Sequence, residues 1–244
     1  AIGFFLNILE PLIGRHITFH TRPMRADGVL VEPEEVGRDY SEYAIVMKGP
    51  ITTKNNFTLE TLQLYKKYFR NAFLVLSTWE NEDKNQVDQI KKIGVEVALN
   101  KKPADSGPRN VNMQITSTVA GLRKAAEAGK KYILKTRTEA RVYNYNSLIF
   151  LSNLLQGFPL TASGYRQKGR LISTHGTLRK WYFFSDMLVF GYTEDVLLYY
   201  GATLVPDGFT LRFGEAEMPF TAEQYFFTEF LKKIGYHLKY TFED

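Results

Sequence analysis

The chemistry in this chain concentrates in one segment, Lys131–Tyr145, which reads KYILKTRTEARVYNY. Three apolar residues, Tyr132, Ile133 and Leu134, run directly into Lys135, Thr136, Arg137, Thr138, Glu139 and Arg141. Open α/β sheets hold their ligands outside the carboxyl ends of the strands, so an apolar strand that ends in charge marks a candidate site. Lys135, Arg137 and Arg141 offer positive charge to an anion, and guanidinium groups grip phosphates through paired N–H donors. Glu139 stands among them as a hard oxygen donor for a divalent cation such as Mn2+ or Mg2+. The same residues would also make a solvated, ion-paired loop, since exposed pairs are common and contribute little. The elements that precede the segment bear on which reading holds.

Composition narrows the field first. The chain has 244 residues, 44% of them hydrophobic and 14% aromatic, which is enough for a sizeable core and excludes disorder over most of its length. Its 31 basic and 26 acidic residues give a net charge of +5. That mild excess suits phosphorylated ligands or an anionic membrane surface and is too weak to argue for nucleic acid. There is no cysteine, so disulfides, thiolate metal sites and cysteine nucleophiles are excluded. His16 and His20 stand four apart in RHITFH, but the intervening residues alternate like a strand and lack the glutamate of a zincin helix. No G-x-G-x-x-G, Walker loop or G-x-S-x-G occurs, which disfavours dinucleotide-dependent dehydrogenases, P-loop ATPases and elbow-type hydrolases. No apolar run approaches the ~20 residues of a spanning helix. The stretch AIGFFLNILEPLIG is interrupted by Asn7, Glu10 and Pro11 and lacks a basic lead-in, so a cytoplasmic location is expected.

The rhythm of the chain begins at Tyr43. Residues 1–42 read as an N-terminal extension, and 43–244 as a single domain. Tyr43–Met47, Phe73–Ser77 and Val95–Leu99 are short, continuously apolar runs of the kind that buried parallel strands show. Between them Leu59–Phe69 places Leu59, Leu62, Tyr65 and Phe69 on one helical face, and a second helix spans residues 84–93. A long helix from about Met113 to Ala128 leads into the strand at 132–136. Gly94, Gly129 and Gly235 each follow a helix and precede an apolar run, as left-handed caps do. This alternation implies a parallel, doubly wound α/β sheet. After residue 145 the pattern loosens: a helix at 147–155, strands at 171–174 and 183–190, a short helix at 194–200, and a helix at 221–234 with a Thr221-x-x-Gln224 capping box. Four polar strand ends, at Lys48–Ile51, Thr78–Glu80, Asn100–Lys102 and Thr136–Glu139, then fall along one edge of the sheet and can converge on one ligand.

Several of these segments carry a resemblance. YAIVMKGPI, FTLETLQLYKKYFRNAFLVLSTWE, IKKIGVEVALNKKP, NVNMQITSTVAGLRKAAEAGKKYILKTRTEAR, SDMLVFG and AEQYF follow the order and spacing of the WavE lipopolysaccharide-synthesis family, over roughly residues 43–234. Its members resemble glycosyltransferases of the GT-A type. The resemblance implies a Rossmann-type, mostly parallel sheet with helices on both faces, divided into a nucleotide-sugar-binding half (43–145) and a looser acceptor-side half (146–244). It implies that Gly49, Pro50 and Ile51 line the nucleotide, that Trp79 and Glu80 meet its base or ribose, and that Asn112 and Gln114 reach the base or phosphates. Lys135, Arg137 and Arg141 would face the donor diphosphate. Glu139 takes the place of the usual Asp-x-Asp metal motif with a single acid, so the cations could replace the metal. Glu223, early in the last helix, is the favoured catalytic base and Asp186 the second candidate, while His175 and Arg179 would meet the acceptor. Each has a plainer reading: Asn112 as a helix cap, Glu223 as a carboxylate complementing the helix dipole.

The expected activity is transfer of a sugar from a nucleotide-sugar donor to a glycan or lipid-linked glycan acceptor of the cell surface. Peripheral contact with the inner face of the membrane is expected, and no nucleic-acid partner. Two alternatives are a non-catalytic basic α/β module that binds nucleic acid or an anionic polymer, and a sugar nucleotidyltransferase. The latter normally wants a glycine-rich basic loop after the first strand, where this chain has GPITTKNN.

Overall fold

The computed structural model describes residues 38–161, 164–176, 181–206, 208–213, 216–218 and 220–239. The first apolar run forms β1 (Tyr43–Lys48), followed by α1 (Phe57–Tyr68), β2 (Phe73–Trp79), α2 (Lys84–Lys92) and β3 (Glu96–Asn100). Then come α3 (Val111–Glu127), β4 (Tyr132–Arg137), α4 (Ser147–Gly157), β5 (Ile172–Ser173), β6 (Val189–Tyr192) and α5 (Thr193–Tyr200). A hairpin of β7 (Leu211–Phe213) and β8 (Ala216–Met218) precedes α6 (Ala222–Ile234). The helix ends follow local chemistry. Asp83 accepts from the Gln86 N–H at the start of α2, and Thr221 and Gln224 close a reciprocal capping box on α6. Gly94, Gly129 and Gly235 all have positive φ after their helices.

Six strands form one sheet in the order β3-β2-β1-β4-β6-β5. β1 to β4 are mutually parallel, while β6 runs antiparallel to both β4 and β5. Alternation divides the buried residues between two faces. Ala44, Val46, Val75, Ile133 and Val189 pack with α3, α5 and α6. Tyr43, Ile45, Met47, Leu74, Leu76, Tyr132, Leu134 and Phe190 pack with α1, α2 and α4. Helices therefore cover both faces, and both halves of the chain contribute to a single sheet. The core also reaches back before residue 43: Tyr40 is fully buried, and its N–H donates to the Arg70 carbonyl.

One strand differs from the sequence reading. The run 183–190 enters the sheet only at Val189, with a lone bridge between Gly176 and Phe184 ahead of it. The reason is that side chains occupy the carbonyls a ladder would use. Ser173 Oγ donates to the Ser185 carbonyl at 2.7 Å, and Lys135 Nζ and the Tyr200 hydroxyl both donate to that of Asp186.

α3 lies unusually close to the sheet. A Cβ on Gly121 would stand 2.6 Å from Val46 Cγ1 and 2.9 Å from Ser77 Cβ. Ser77 Oγ also donates to the Ser117 carbonyl of α3 at 2.5 Å and accepts from Asn100 Nδ2 at 2.9 Å. Gly121→Ala gains about 1 kcal/mol of helix propensity but meets two side chains rooted in central strands, and overpacking of that kind costs about 1–3 kcal/mol. Net destabilisation is expected, read as a lower urea midpoint at unchanged slope; a variant as stable as the parent would contradict the close approach.

Candidate active site

The strand order reverses at β1: the chain moves outward through β2 and β3, then returns through α3 to place β4 on the other side of β1. Such a switch point opens a crevice at the carboxyl ends of the strands. Here it holds a cavity of about 550 Å3 lined by Lys48, Gly49 and Pro50 after β1, Trp79 at the end of β2, Lys102 after β3, Arg137 at the end of β4, and Arg109, Asn110, Met113, Gln114 and Ser117 around the start of α3. Four of these residues are cations. The amino-terminal end of α3 adds its own partial positive charge, although the N–H groups of Asn110, Val111 and Asn112 already donate to the carbonyls of Gly107, Pro108 and Ser106. Gly49, at φ +122, lets the chain leave β1 so close to β4 that a Cβ would stand 2.9 Å from Thr138 Oγ1. Thr58 ties the two exits together, since its hydroxyl accepts from the Thr52 N–H at 2.9 Å and donates to the Thr138 carbonyl at 3.0 Å.

Register brings the charges together. Lys48 pairs with Arg137 and Val46 with Lys135 across β1 and β4, and alternation puts Lys48, Lys135 and Arg137 on the face covered by α3, α5 and α6. Lys48 is buried and donates to Gln114 Oε1 at 3.3 Å. Burial lowers its affinity for a proton, which the charge of Asp186 opposes and that of Arg137 reinforces. Lys135 is fully buried, with Nζ 3.6 Å from Asp186 Oδ2 and 4.9 Å from the centre of the Tyr200 ring. Its burial, against the pull of Asp186 and with the push of Lys48 and Arg137, brings its pKa down from 10.5 to about 7. Burial would raise the Asp186 carboxyl, but Lys135, Lys48 and Arg137 together hold it below the usual carboxylate value. Asp186 lies three residues ahead of β6, which runs antiparallel to β4, so it comes to the same edge as the parallel strand ends. Glu223, half-buried in the first turn of α6, is near enough to act electrostatically on Lys48, Tyr199 and Tyr200.

Residues 43–234, most of the chain, match the family described as WavE lipopolysaccharide synthesis. The chain belongs to that family. No curated protein matches it. Among solved structures, a cytidylyltransferase from Leptospira borgpetersenii serovar Hardjo-bovis is similar over 67% of this chain and 66% of that one, at 12% identity and a TM-score of 0.40. The alignment thus spans just under two thirds of that protein's length.

This WavE-family chain gathers some of the residues expected at a donor site and uses others elsewhere. Gly49, Pro50, Trp79, Gln114 and Arg137 line the cavity. Ile51 is buried, and its N–H donates to Glu82 Oε1 at 3.2 Å. Glu80 is exposed beyond β2 and is not part of the lining. Asn112 is neither a ligand-facing group nor the cap of α3: its amide bonds the N–H and carbonyl of Val205 at 2.7 and 2.8 Å, clamping the chain after α5 to the start of α3. Arg141 turns away from the cavity and is buried against α1. Its Nε donates to Thr61 Oγ1 at 2.8 Å and its guanidinium lies 4.3 Å from the centre of the Phe57 ring. Lys135 lies beneath the cavity, beside Asp186, rather than in its wall. His175 leaves β5 at the same edge, exposed, with its ring edge-on to Phe183 at 6.0 Å. Arg179 and residues 1–37, including His16 and His20, lie outside the described residues.

Lys48, Lys102, Arg109 and Glu82 carry no role in the sequence reading. Lys48 and Lys102 were visible there only as members of polar strand ends. Glu82 bonds Thr78 Oγ1 at 2.8 Å and the Ile51 N–H, joining the exits of β1 and β2. Lys102 lies 6.0 Å from the centre of the Trp79 ring.

The donor set does not fit a tightly held divalent cation. Glu139 pairs through Oε1 with Arg137 Nε and accepts through Oε2 from Thr138 Oγ1 at 3.3 Å. Among the described residues no three histidine, aspartate or glutamate side chains stand together as a metal site.

The buried lysine has a thermodynamic signature. Between about 7 and 10.5 the unfolded chain keeps a proton on Lys135 that the folded chain has released. Stability from this residue therefore rises with pH across that window, and below it the full cost of the buried charge applies. Lys135→Met lacks the rise. Urea unfolding at about pH 6 and about pH 9 should show the parent gaining on the variant at the higher pH; an equal gap at both would contradict a depressed lysine.

Proposed function

We propose that the chain is a glycosyltransferase that moves a sugar from a nucleotide-sugar donor to a lipopolysaccharide, capsule or other surface-glycan acceptor. The observation that carries this is the convergence of Lys48, Lys102, Arg109 and Arg137 with the start of α3 at the switch point of the sheet. Membership in a lipopolysaccharide-synthesis family supports it. The diphosphate sits among those cations, and the nucleoside extends toward Trp79 and Met113. The sugar lies toward Asp186 and Glu223, where the anomeric carbon meets the acceptor.

In this reading Glu223 takes the proton of the acceptor hydroxyl as its oxygen attacks the anomeric carbon. The bond between that carbon and the β-phosphate oxygen breaks, its electron pair leaving with the nucleoside diphosphate. A single displacement of this kind inverts the anomeric centre. Glu223 suits the role because it makes no hydrogen bond or ion pair among the described residues and faces the cluster without being tied into it. Asp186, held ionised by buried cations, is a weak base and acts instead as the counter-charge that keeps Lys135 and Lys48 in place.

The acceptor is a glycan or lipid-linked glycan, met by peripheral contact at the inner face of the membrane. Among the described residues no helix is long and apolar enough to cross a membrane. A separate hollow of about 340 Å3, lined by Val142, Phe150, Leu151 and Leu188 together with Asn144, Asn146 and Ser147, lies on the face of the sheet covered by α1, α2 and α4.

Calorimetry with a panel of nucleoside diphosphates tests the assignment, and failure to bind any of them would sink it. Pyrophosphate release from a nucleoside triphosphate and a sugar phosphate would mark a nucleotidyltransferase instead. Glu223→Gln should leave nucleoside diphosphate affinity unchanged and lower turnover by about 10²–10⁴-fold, the usual contribution of a positioned base. Turnover equal to the parent's would remove Glu223 from the mechanism.

A further inference from the structure

We infer that the donor diphosphate is held without a divalent cation, its charge offset by Lys48, Lys102, Arg109 and Arg137, with Glu139 acting as a tether that aims Arg137. This rests on the donor-site reading above and specifies how that site works. The geometry that supports it lies in the one acid expected to hold a metal. Both Glu139 oxygens are engaged, Oε1 by Arg137 Nε and Oε2 by Thr138 Oγ1.

That pair is about two fifths exposed on each side, and such pairs are readily broken. Engagement alone would therefore not keep a metal out, but the surrounding charge would. A dication placed beside Glu139 would join four cations and the positive end of a long helix, while the other two carboxylates in electrostatic reach of Lys48, Asp186 and Glu223, are not part of the cavity wall. Among the described residues no group of three histidine, aspartate or glutamate side chains stands there to hold a metal. The buried acid Asp186 is matched to Lys135. A site built for a metal-bridged diphosphate needs carboxylates at the cavity wall, whereas this wall presents ammonium and guanidinium groups.

The division of labour follows from burial. Lys48 is withdrawn from water and anchored on Gln114, so its charge acts in a medium of low dielectric. Arg137 is more open, and its planar fork can take two phosphate oxygens while Nε stays on Glu139. As the bond to the sugar breaks, negative charge grows on the β-phosphate, and these two groups are already in position to meet it.

The experiment is calorimetry of the full chain with uridine, cytidine, guanosine and adenosine diphosphates, each in EDTA and each with Mn2+. Electron paramagnetic resonance with Mn2+ alone supplies a second readout. The expected result is a dissociation constant that is the same in EDTA and Mn2+ for the diphosphate that binds, and no tight Mn2+ binding to the free protein. Arg137→Gln and Lys102→Gln, both at solvent-accessible positions that fold safely, should each weaken binding in EDTA by about ten- to a hundredfold. Glu139→Gln should retain metal-free binding at a lower affinity. Binding seen only with Mn2+, or Mn2+ held by the parent and lost in Glu139→Gln, would overturn the inference while leaving the donor-site reading intact. No binding in either condition would overturn both.

Discussion

β1 and β4 lie side by side, parallel and in register, and both end in cations on the same face. Lys48 stands beside Arg137, with Lys135 one step down the strand, all three turned toward α3, α5 and α6. Like charges in adjacent strands repel, and buried ones are costly unless paired. The surrounding structure supplies the counterweight. Asp186 lies against Lys135, and the Tyr200 hydroxyl fixes the Asp186 carbonyl at 3.1 Å. Tyr199 and Tyr200 back the arrangement with fully buried rings. The late, short start of β6 follows from this, because the residues ahead of it give their carbonyls to Lys135, Tyr200 and Ser173 rather than to a neighbouring strand.

The cavity above those charges has its width set by α3. Gly121 lets the helix close on Val46 and Ser77, and Ser77 binds it further through the Ser117 carbonyl. Asn100, at the end of β3, joins the same network through Ser77 Oγ and the Thr78 carbonyl. At the helix start, Asn112 bonds both backbone groups of Val205, which links α3 to the second half of the chain. A buried amide with both ends satisfied is a firm joint. The two halves that sequence rhythm separates are therefore coupled at the mouth of the site.

Much of the fold was legible in the sequence because buried parallel strands must be continuously apolar and their crossovers amphipathic. The four parallel strands and the α6 capping box lie where the pattern places them. The antiparallel arrival of β6 was not legible, since four residues of strand carry no directional mark. The site was legible as an edge, but only partly as a set of residues. Polarity after a strand tells which edge a side chain belongs to, not which way the chain turns next. Arg141, four residues beyond β4, shares the edge with Arg137, yet the turn carries it under α1. Asn112 reads as a helix cap or a ligand group because spacing alone does not show that the Val205 segment returns to meet it. Lys48 was undervalued for a different reason: a lysine ending an apolar strand looks like an exit to solvent, and only the register with β4 shows it turned inward.

The placement of charge also bears on what kind of anion site this is. A module that needed only affinity for a polyanion would keep its cations solvated along a surface stripe, where each phosphate contact costs little desolvation. This chain instead withdraws Lys48 and Lys135 from water, at a cost in stability, and brings Lys102, Arg109 and Arg137 together with Lys48 around one open crevice. Burial strengthens the field that each charge exerts, and a preorganised field matters most where negative charge grows during a reaction. The net charge of +5 is then beside the point. In the proposed reading, what favours transfer chemistry over simple binding is that the chain spends folding stability on two buried lysines whose field would act at a leaving diphosphate, with Glu223, which makes no hydrogen bond or ion pair among the described residues, within electrostatic reach of Lys48.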